Sequence, residues 1–348
     1  MALVEAYRPA DRPALAALYR RVFGNDAAAV DRLRWEWLYK GNPRLAGRGT
    51  PALWVAREGP ALVGQCGTMP VRLRLHGTEI DAAWGIDVMV APERRRQAIG
   101  QRLVAAWDAS VDAALGLGPT RSAAALFEGL GWPRPVSIPL LVKPLTRRAL
   151  RRGDWSPTVN RLVSAVTLPM VKVVARSRPV HGEVEIVRRF DPALTRLWDR
   201  IAPKFDLAVR RDAPYLTWKY LKPPHVRYSA IVLRREGEVA GYAIYRHVQE
   251  ARTRATLLVD FLADPDDRPA VLALLRFVDR EARAADSDKI RCCCLHTAFR
   301  SVLKRSGYFQ RTPTLELVAK LNVPGLPPRF HDRPGRWHVT LGDGDADR

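Results

Sequence analysis

The chain has 348 residues, with 57 Lys and Arg against 36 Asp and Glu, a formal net charge of +21. With 47% hydrophobic and 27% charged residues it is neither disordered nor fibrous, and its length suits about two domains. Four cysteines, three of them adjacent at Cys292, Cys293 and Cys294, exclude a disulfide framework, and no uncharged apolar stretch reaches the ~20 residues of a membrane span, so a reducing, cytoplasmic location is expected.

Of the basic residues 48 are Arg and 9 are Lys, a skew that a GC-rich coding sequence would produce. Net charge speaks to partners and not to fold, so its location decides what it means.

An internal repeat organises the chain. Trp37-Leu38-Tyr39 with Pro43 matches Trp218-Lys219-Tyr220 with Pro224, and Arg57-Glu58-Gly59 with Gly64 matches Arg235-Glu236-Gly237 with Gly241. Asp87 to Pro92 matches Asp260 to Pro265, and Gly131-Trp132 matches Gly307-Tyr308. The matches keep one order with a slowly drifting offset, which points to a first copy over 1–145 and a second over 183–325. Residues 326–348 follow as a strand and tail.

Each copy predicts the same elements in chain order. A helix ends at the Trp-x-Tyr segment, because the proline beyond it cannot continue a helix. Two strands around a Gly hairpin follow (52–57 and 62–75; 228–235 and 239–247), then a third strand (80–90; 256–263). A helix (95–109; 267–285), a short apolar strand (111–117; 290–295) and a short helix ending at Gly-aromatic close the unit. Hairpins followed by a strand-helix-strand crossover imply an α/β unit with a mixed sheet.

Between the copies, residues 133–180 carry ten basic residues and one acid, Asp154. The interrupted apolar run Thr158–Arg178 predicts an amphipathic helix kinked at Pro169, inside a basic linker over 146–182. Contact with an anionic membrane is one reading of it, and a solvated interdomain helix is the other. The terminal Gly342–Arg348 run is polar and reads as a frayed, solvated tail.

The sharpest motif is Asp87-Val-Met-Val-Ala-Pro-Glu-Arg-Arg-Arg-Gln-Ala-Ile-Gly100-Gln-Arg. A strand runs through a tight turn into a helix starting near Ala98. Unpaired N–H groups at a helix start form a concave anion site, which the helix dipole favours further. Small Ala98 and Gly100 permit close approach, and Arg94, Arg95 and Arg96 add positive charge. Together these features describe a pyrophosphate cradle.

In these residues the chain resembles the GNAT acetyltransferase superfamily, whose acyl-CoA motif is Val-x-Pro-x-x-Arg-x-x-Gly-x-Gly. Val90, Pro92, Arg95 and Gly100 match it, and Ala98 stands where the family prefers Gly. The family's second signature, a helix ending Leu-Tyr-x-x-x-Gly-Phe, corresponds to Leu126-Phe127 through Gly131-Trp132. Both halves are covered, so the chain resembles a tandem-GNAT protein: two GNAT-like domains joined by a basic helical linker.

The resemblance implies acyl transfer from acetyl-CoA to an amine. Backbone groups of Val88 and Val90 would pair with the pantetheine arm. The amides of Arg96, Gln97, Ala98, Ile99, Gly100 and Gln101 would hold the pyrophosphate, and Arg95 would face phosphate or pin the loop. Asp87 is the candidate base, directly or through water. Its counterpart Asp260 favours a structural role for both as the alternative. Phe127 replaces the Tyr that serves many GNAT enzymes as acid, and it has no proton to give.

In the second copy the turn reads Arg268-Pro-Ala-Val-Leu-Ala, with Asp264, Asp266 and Asp267 around it. Pro269 has no N–H, and three carboxylates repel a pyrophosphate, so this copy is not expected to bind CoA. The histidines lack metal-ligand spacing, Cys292–Cys294 alternate in and out of a strand, Cys66 reads as a core thiol, and Trp35, Trp37 and Trp218 read mainly as core. Two alternatives remain. One is an aminoacyl-tRNA-dependent transferase, which has no need of the intact turn; the other is a basic module docking on membrane or nucleic acid. Nucleic acid is the less favoured partner, since the charge gathers in the linker and the turn.

Overall fold

The computed structural model describes residues 2–46, 52–150, 181–327 and 329–345, with isolated positions between 156 and 169. The helix expected over Thr158–Arg178 lies outside the continuously described residues. Among the described residues one mixed α/β sheet of fourteen strands spans the molecule.

The first half contributes β1 (Leu3–Ala6), β2 (Leu53–Glu58), β3 (Ala61–Leu75), β4 (Thr78–Val90), β5 (Ala113–Leu117) and β6 (Val136–Pro144). The second contributes β7 (Glu183–Val187), β8 (Leu207–Val209), β9 (Ser229–Arg235), β10 (Glu238–Gln249), β11 (Arg254–Ala263), β12 (Lys289–Cys293), β13 (Phe309–Leu321) and β14 (Trp337–His338). Among the continuously described residues the α-helices are α1 (Arg12–Phe23), α2 (Asn25–Tyr39), α3 (Ile99–Asp108), α4 (Arg121–Gly129), α5 (Arg147–Leu150), α6 (Ala193–Ile201), α7 (Ala213–Leu216), α8 (Arg268–Ala284) and α9 (Thr297–Arg305).

The strand order is β1-β2-β3-β4-β5-β13-β6-β12-β11-β10-β9-β7, with β8 and β14 attached at β3. Read inward from either edge, each half presents five strands in the same order, then a strand from the other half. Thus β13 pairs β5 (Leu317 opposite Leu117), β6 pairs β12 (Leu141 opposite Cys292), and β6 and β13 pair antiparallel at the centre. Central strands are covered on both faces, so they read as continuous buried runs, as in Leu62–Val71 and Ala255–Ala263. The same coverage buries Cys293 with Cys292 and Cys294, where alternating exposure was expected.

The crossover helices lie on the sheet by their apolar faces. Ile99, Leu103, Val104 and Trp107 of α3 are buried at helical spacing. Gly85 on β4 makes room for the Trp107 ring, because a Cβ there would fall about 2.7 Å from its Cζ3. In α8, Val271, Leu274, Leu275 and Val278 do the same, and the Asp267 carboxylate caps the helix by accepting from Ala270 N–H at 2.9 Å.

The repeated tryptophans meet. Trp37 and Trp218 stack with centroids 5.0 Å apart and planes at 15°. Each indole N–H donates to the other's backbone carbonyl at 2.7 Å. This reciprocal pair ties the end of α2 to the π-helical turn Thr217–Leu221.

The end of the chain departs from expectation. Residues 342–344 are buried, and Asp343 is 2% exposed. Asp343 pairs with buried Arg211 at 2.8 Å, Gly344 C=O accepts from Lys219 Nζ at 2.5 Å, and Asp345 pairs with Arg34 at 3.3 Å. Buried cations on distant elements therefore draw a polar tail into the core.

Trp218→Ala removes one ring and one reciprocal hydrogen bond, so denaturant unfolding should show a loss of about 3–5 kcal/mol. Burial among Phe205, Phe299 and the neighbouring arginines pushes the His296 imidazole down to about 4. Its folded value lies below the unfolded ~6.5, so the unfolded chain binds the proton more tightly. Stability is complete above about pH 6.5 and falls by about 3 kcal/mol as pH drops to 4, and His296→Phe should remove that part of the acid slope.

Candidate functional site

The site forms where β4 leaves β5. Their parallel pairing runs only from Ala82 opposite Ala113 to Trp84 opposite Leu115. On its other edge β5 pairs with β13 along its whole length, from Ala113 opposite Leu321 to Leu117 opposite Leu317, and past Trp84 β4 continues without β5 to Val90. Ala91 N–H donates to Val63 C=O on β3, so by alternation the N–H and C=O of Val90 and Val88 face the opened edge. Arg95 Nε reaches Val90 C=O at 3.4 Å and so lies against this lip.

The turn after β4 holds two residues in the left-handed region, Arg96 (φ 64°) and Ala98 (φ 57°). Ala98 is the N-cap of α3 and provides no side-chain cap. The first α-helical bond runs from Arg102 N–H to Ala98 C=O at 3.1 Å. The N–H groups of Ala98, Ile99, Gly100 and Gln101 precede it and have no acceptor among the described residues. With three exposed arginines (Arg94, Arg95 and Arg96) beside them, these amides fit a pyrophosphate. The space that Gly100 leaves is filled by Leu126 Cδ1, 2.8 Å from the position a Cβ would take, so this glycine also seats α4 on α3.

Asp87 sits in a bulge of β4, between the pairs Gln65–Met89 and Gly67–Ile86, at φ 47°. The bulge turns its carboxylate inward, where it is 8% exposed and lies 3.6 Å from Arg34 and 3.4 Å from the Tyr19 hydroxyl. Arg34 also holds Asp345, so one buried guanidinium spans a carboxylate of β4 and one of the chain's end. Burial, opposed by Arg12, raises Asp31 beside them above the usual carboxylate range. Burial and the Asp87 charge keep the Tyr39 hydroxyl protonated. Tyr19, Arg34 and Asp345 escaped the sequence reading. Tyr19 has the spacing of a core residue of α1, and Arg34 that of a solvated face.

Phe127 is buried, stacked on Trp132 at 4.5 Å and edge-on to Trp107 at 6.5 Å. The second half treats the same features differently. Asp260 is fully buried, accepts from Tyr242 at 2.8 Å, Tyr220 at 3.1 Å and Thr340 at 3.0 Å, and pairs with Arg211. Asp264 and Asp266 are held by Lys204, and Asp267 caps α8, so that helix start is already occupied. Among the described residues no three His, Cys, Asp or Glu gather to hold a metal, and no helix is long and apolar enough to cross a membrane.

This architecture is the GNAT fold. A GCN5-related N-acetyltransferase from Anabaena variabilis superposes with a TM-score of 0.65 at 12% identity, over 93% of this chain and 73% of that one. A conserved protein of unknown function from Enterococcus faecalis, described as a probable N-acyltransferase, gives 0.63 at 14% identity over 91% and 72%. N-myristoyltransferase of Saccharomyces cerevisiae with bound myristoyl-CoA gives 0.55 at 14% over 92% and 79%. No curated protein matches the sequence. Residues 4–116, about a third of the chain, match the family described as the acetyltransferase (GNAT) domain.

An L-residue in the left-handed region costs about 1–2 kcal/mol, and glycine loses up to ~1 kcal/mol more backbone entropy on folding. Ala98→Gly should therefore stabilise the chain by about 0.5–1 kcal/mol in denaturant unfolding, without altering the turn.

Proposed function

We propose that this protein is an acyl-CoA-dependent N-acyltransferase, with acetyl-CoA as donor and an amine-bearing small molecule or chain end as acceptor. The observation that carries this reading is the open edge of β4 leading directly into the uncapped, arginine-flanked start of α3. In it, Val88 and Val90 offer backbone groups to the pantetheine arm, and the amides from Arg96 to Gln101 lie around the pyrophosphate. Arg95, resting on Val90 C=O, pins the turn. Residues 1–145 and 183–325 are read as two copies of one unit, joined by the linker 146–182, with a single cofactor site in the first. The setting is cytoplasmic.

Bound there, acyl-CoA supplies an acyl group already activated as a thioester. Asp87 takes the proton that the acceptor ammonium must lose before its nitrogen can attack. Arg34 and Tyr19 fix the carboxylate in place. Phe127, locked between Trp132 and Trp107, contributes packing. The N-myristoyltransferase likeness makes acyl length the first property to vary.

Acetyl-CoA at 100 times its Kd should add about 2.7 kcal/mol to stability and raise the melting midpoint by about 5 °C. Calorimetry should give one equivalent per chain; two equivalents, or no shift, would refute the single-site reading. Myristoyl-CoA run beside it reads acyl-length preference. Asp87→Asn should lower kcat by 100-fold or more with the acetyl-CoA shift retained, and unchanged turnover removes Asp87 as base.

A further inference from the structure

The second half has its own divergence of strands. The parallel pairing of β11 with β12 ends at Leu258 opposite Cys292, and from Val259 to Ala263 the inner edge of β11 is released, as that of β4 is after Trp84. Here the gap is filled. β14, paired with β8, leads into a segment that runs between the two strands, and together they bond to both lips. On the β12 side, Leu295 N–H donates to Val339 C=O at 3.3 Å, and Cys294 faces Thr340 in an antiparallel bridge. On the β11 side, Gly342 N–H donates to Val259 C=O at 2.9 Å, and His338 Nε2 bonds to Phe261 C=O at 2.8 Å. Phe261 aligns with Val88, so this carbonyl is the counterpart of one assigned to the pantetheine arm in the first half.

The fit is that of a ligand in its site. Trp337, His338, Val339 and Thr340 are each at most 1% exposed. The Thr340 hydroxyl donates to Asp260, and Asp343 closes the far end on Arg211. Added-strand binding of this kind takes its affinity from main-chain hydrogen bonds and its specificity from side-chain pockets.

We propose that the gap between β11 and β12 is a peptide-binding groove, and that residues 337–343 are its resident ligand, an internal strand that closes this half to a second acyl-CoA arm. The groove does not depend on what the first half binds. Its chemistry calls for an extended peptide with an aromatic residue and a histidine, then Thr, a small residue and a carboxylate.

Gly342 offers a way to unseat the segment within the full chain. A Cβ there would collide with the Tyr220 hydroxyl and lie 3.0 Å from Val259 Cγ1. The probe is a fluorescent synthetic peptide of residues 336–345, Arg-Trp-His-Val-Thr-Leu-Gly-Asp-Gly-Asp, followed by anisotropy. The Gly342→Val chain should bind it at least tenfold more tightly than the unaltered chain, whose groove is filled. A peptide carrying the same Gly-to-Val change should not bind. Equal binding to both chains, or binding to neither, overturns the proposal. Hydrogen exchange on the unaltered chain tests it even if the variant fails to fold. The amides of Leu295 and Gly342 should be protected together, at least a hundredfold over the free-chain rate. A Gly342 amide exchanging at the free-chain rate overturns it.

Discussion

The exchange of β6 and β13 is the constraint on which the rest depends. Each strand leaves its own half, pairs with the last parallel strand of the other, and meets its counterpart at the centre of the sheet. Neither half completes its sheet alone. The Trp37–Trp218 pair repeats the arrangement outside the sheet, each ring satisfying the other's backbone. With both junctions shared, the two halves are held as one body.

The divergence of strands appears twice on one framework, with opposite outcomes. In the first half the edge leads to a helix start whose amides are uncapped and whose neighbours are arginines. In the second the corresponding helix is capped by its own Asp267, the surrounding carboxylates are held by Lys204, and the gap carries a strand of protein. The two aspartates follow the same division, Asp87 within the bulge of β4 and Asp260 paired with Ile244 beside the irregularity of β11. Asp260 is saturated by three hydroxyl groups and Arg211, whereas Asp87 is reached by Arg34 and Tyr19 at longer distances. A few side chains thus give two versions of one geometry different surroundings.

Much of this was legible in the residues. Hairpin glycines and the Trp-x-Tyr repeat placed the principal strands and crossover helices within four residues, the largest miss being the start of α3 at Ile99 against an expected 95. The turn from Val90 to Gly100 announced itself because its chemistry is local: consecutive amides, small residues and arginines. What was illegible depends on partners far away in sequence. Nothing in β6 or β13 records which half it pairs with, since an apolar strand fits either neighbour. Gly342-Asp-Gly-Asp reads as a solvated turn until Arg211 and Arg34, over 130 and 310 residues earlier, supply buried counter-charges. The bulge that turns Asp87 inward is likewise a property of strand register, set jointly by β3 and β4.

The exchanged strands also bear on the order of assembly during synthesis. Leu117 on β5 waits for Leu317, its partner on β13. At roughly 5–20 residues per second, the ribosome needs on the order of 10–40 s to make the intervening chain. Throughout that interval the inner edge of β5 is unpaired, and Arg34 and Asp87 lack the Asp345 carboxylate. Pairings so distant along the chain are slow to form and leave sticky edges exposed in the meantime. The architecture thus postpones completion of the first half's site until Asp345 is made, so that a chain stopped before it would carry the cradle without its finished neighbourhood.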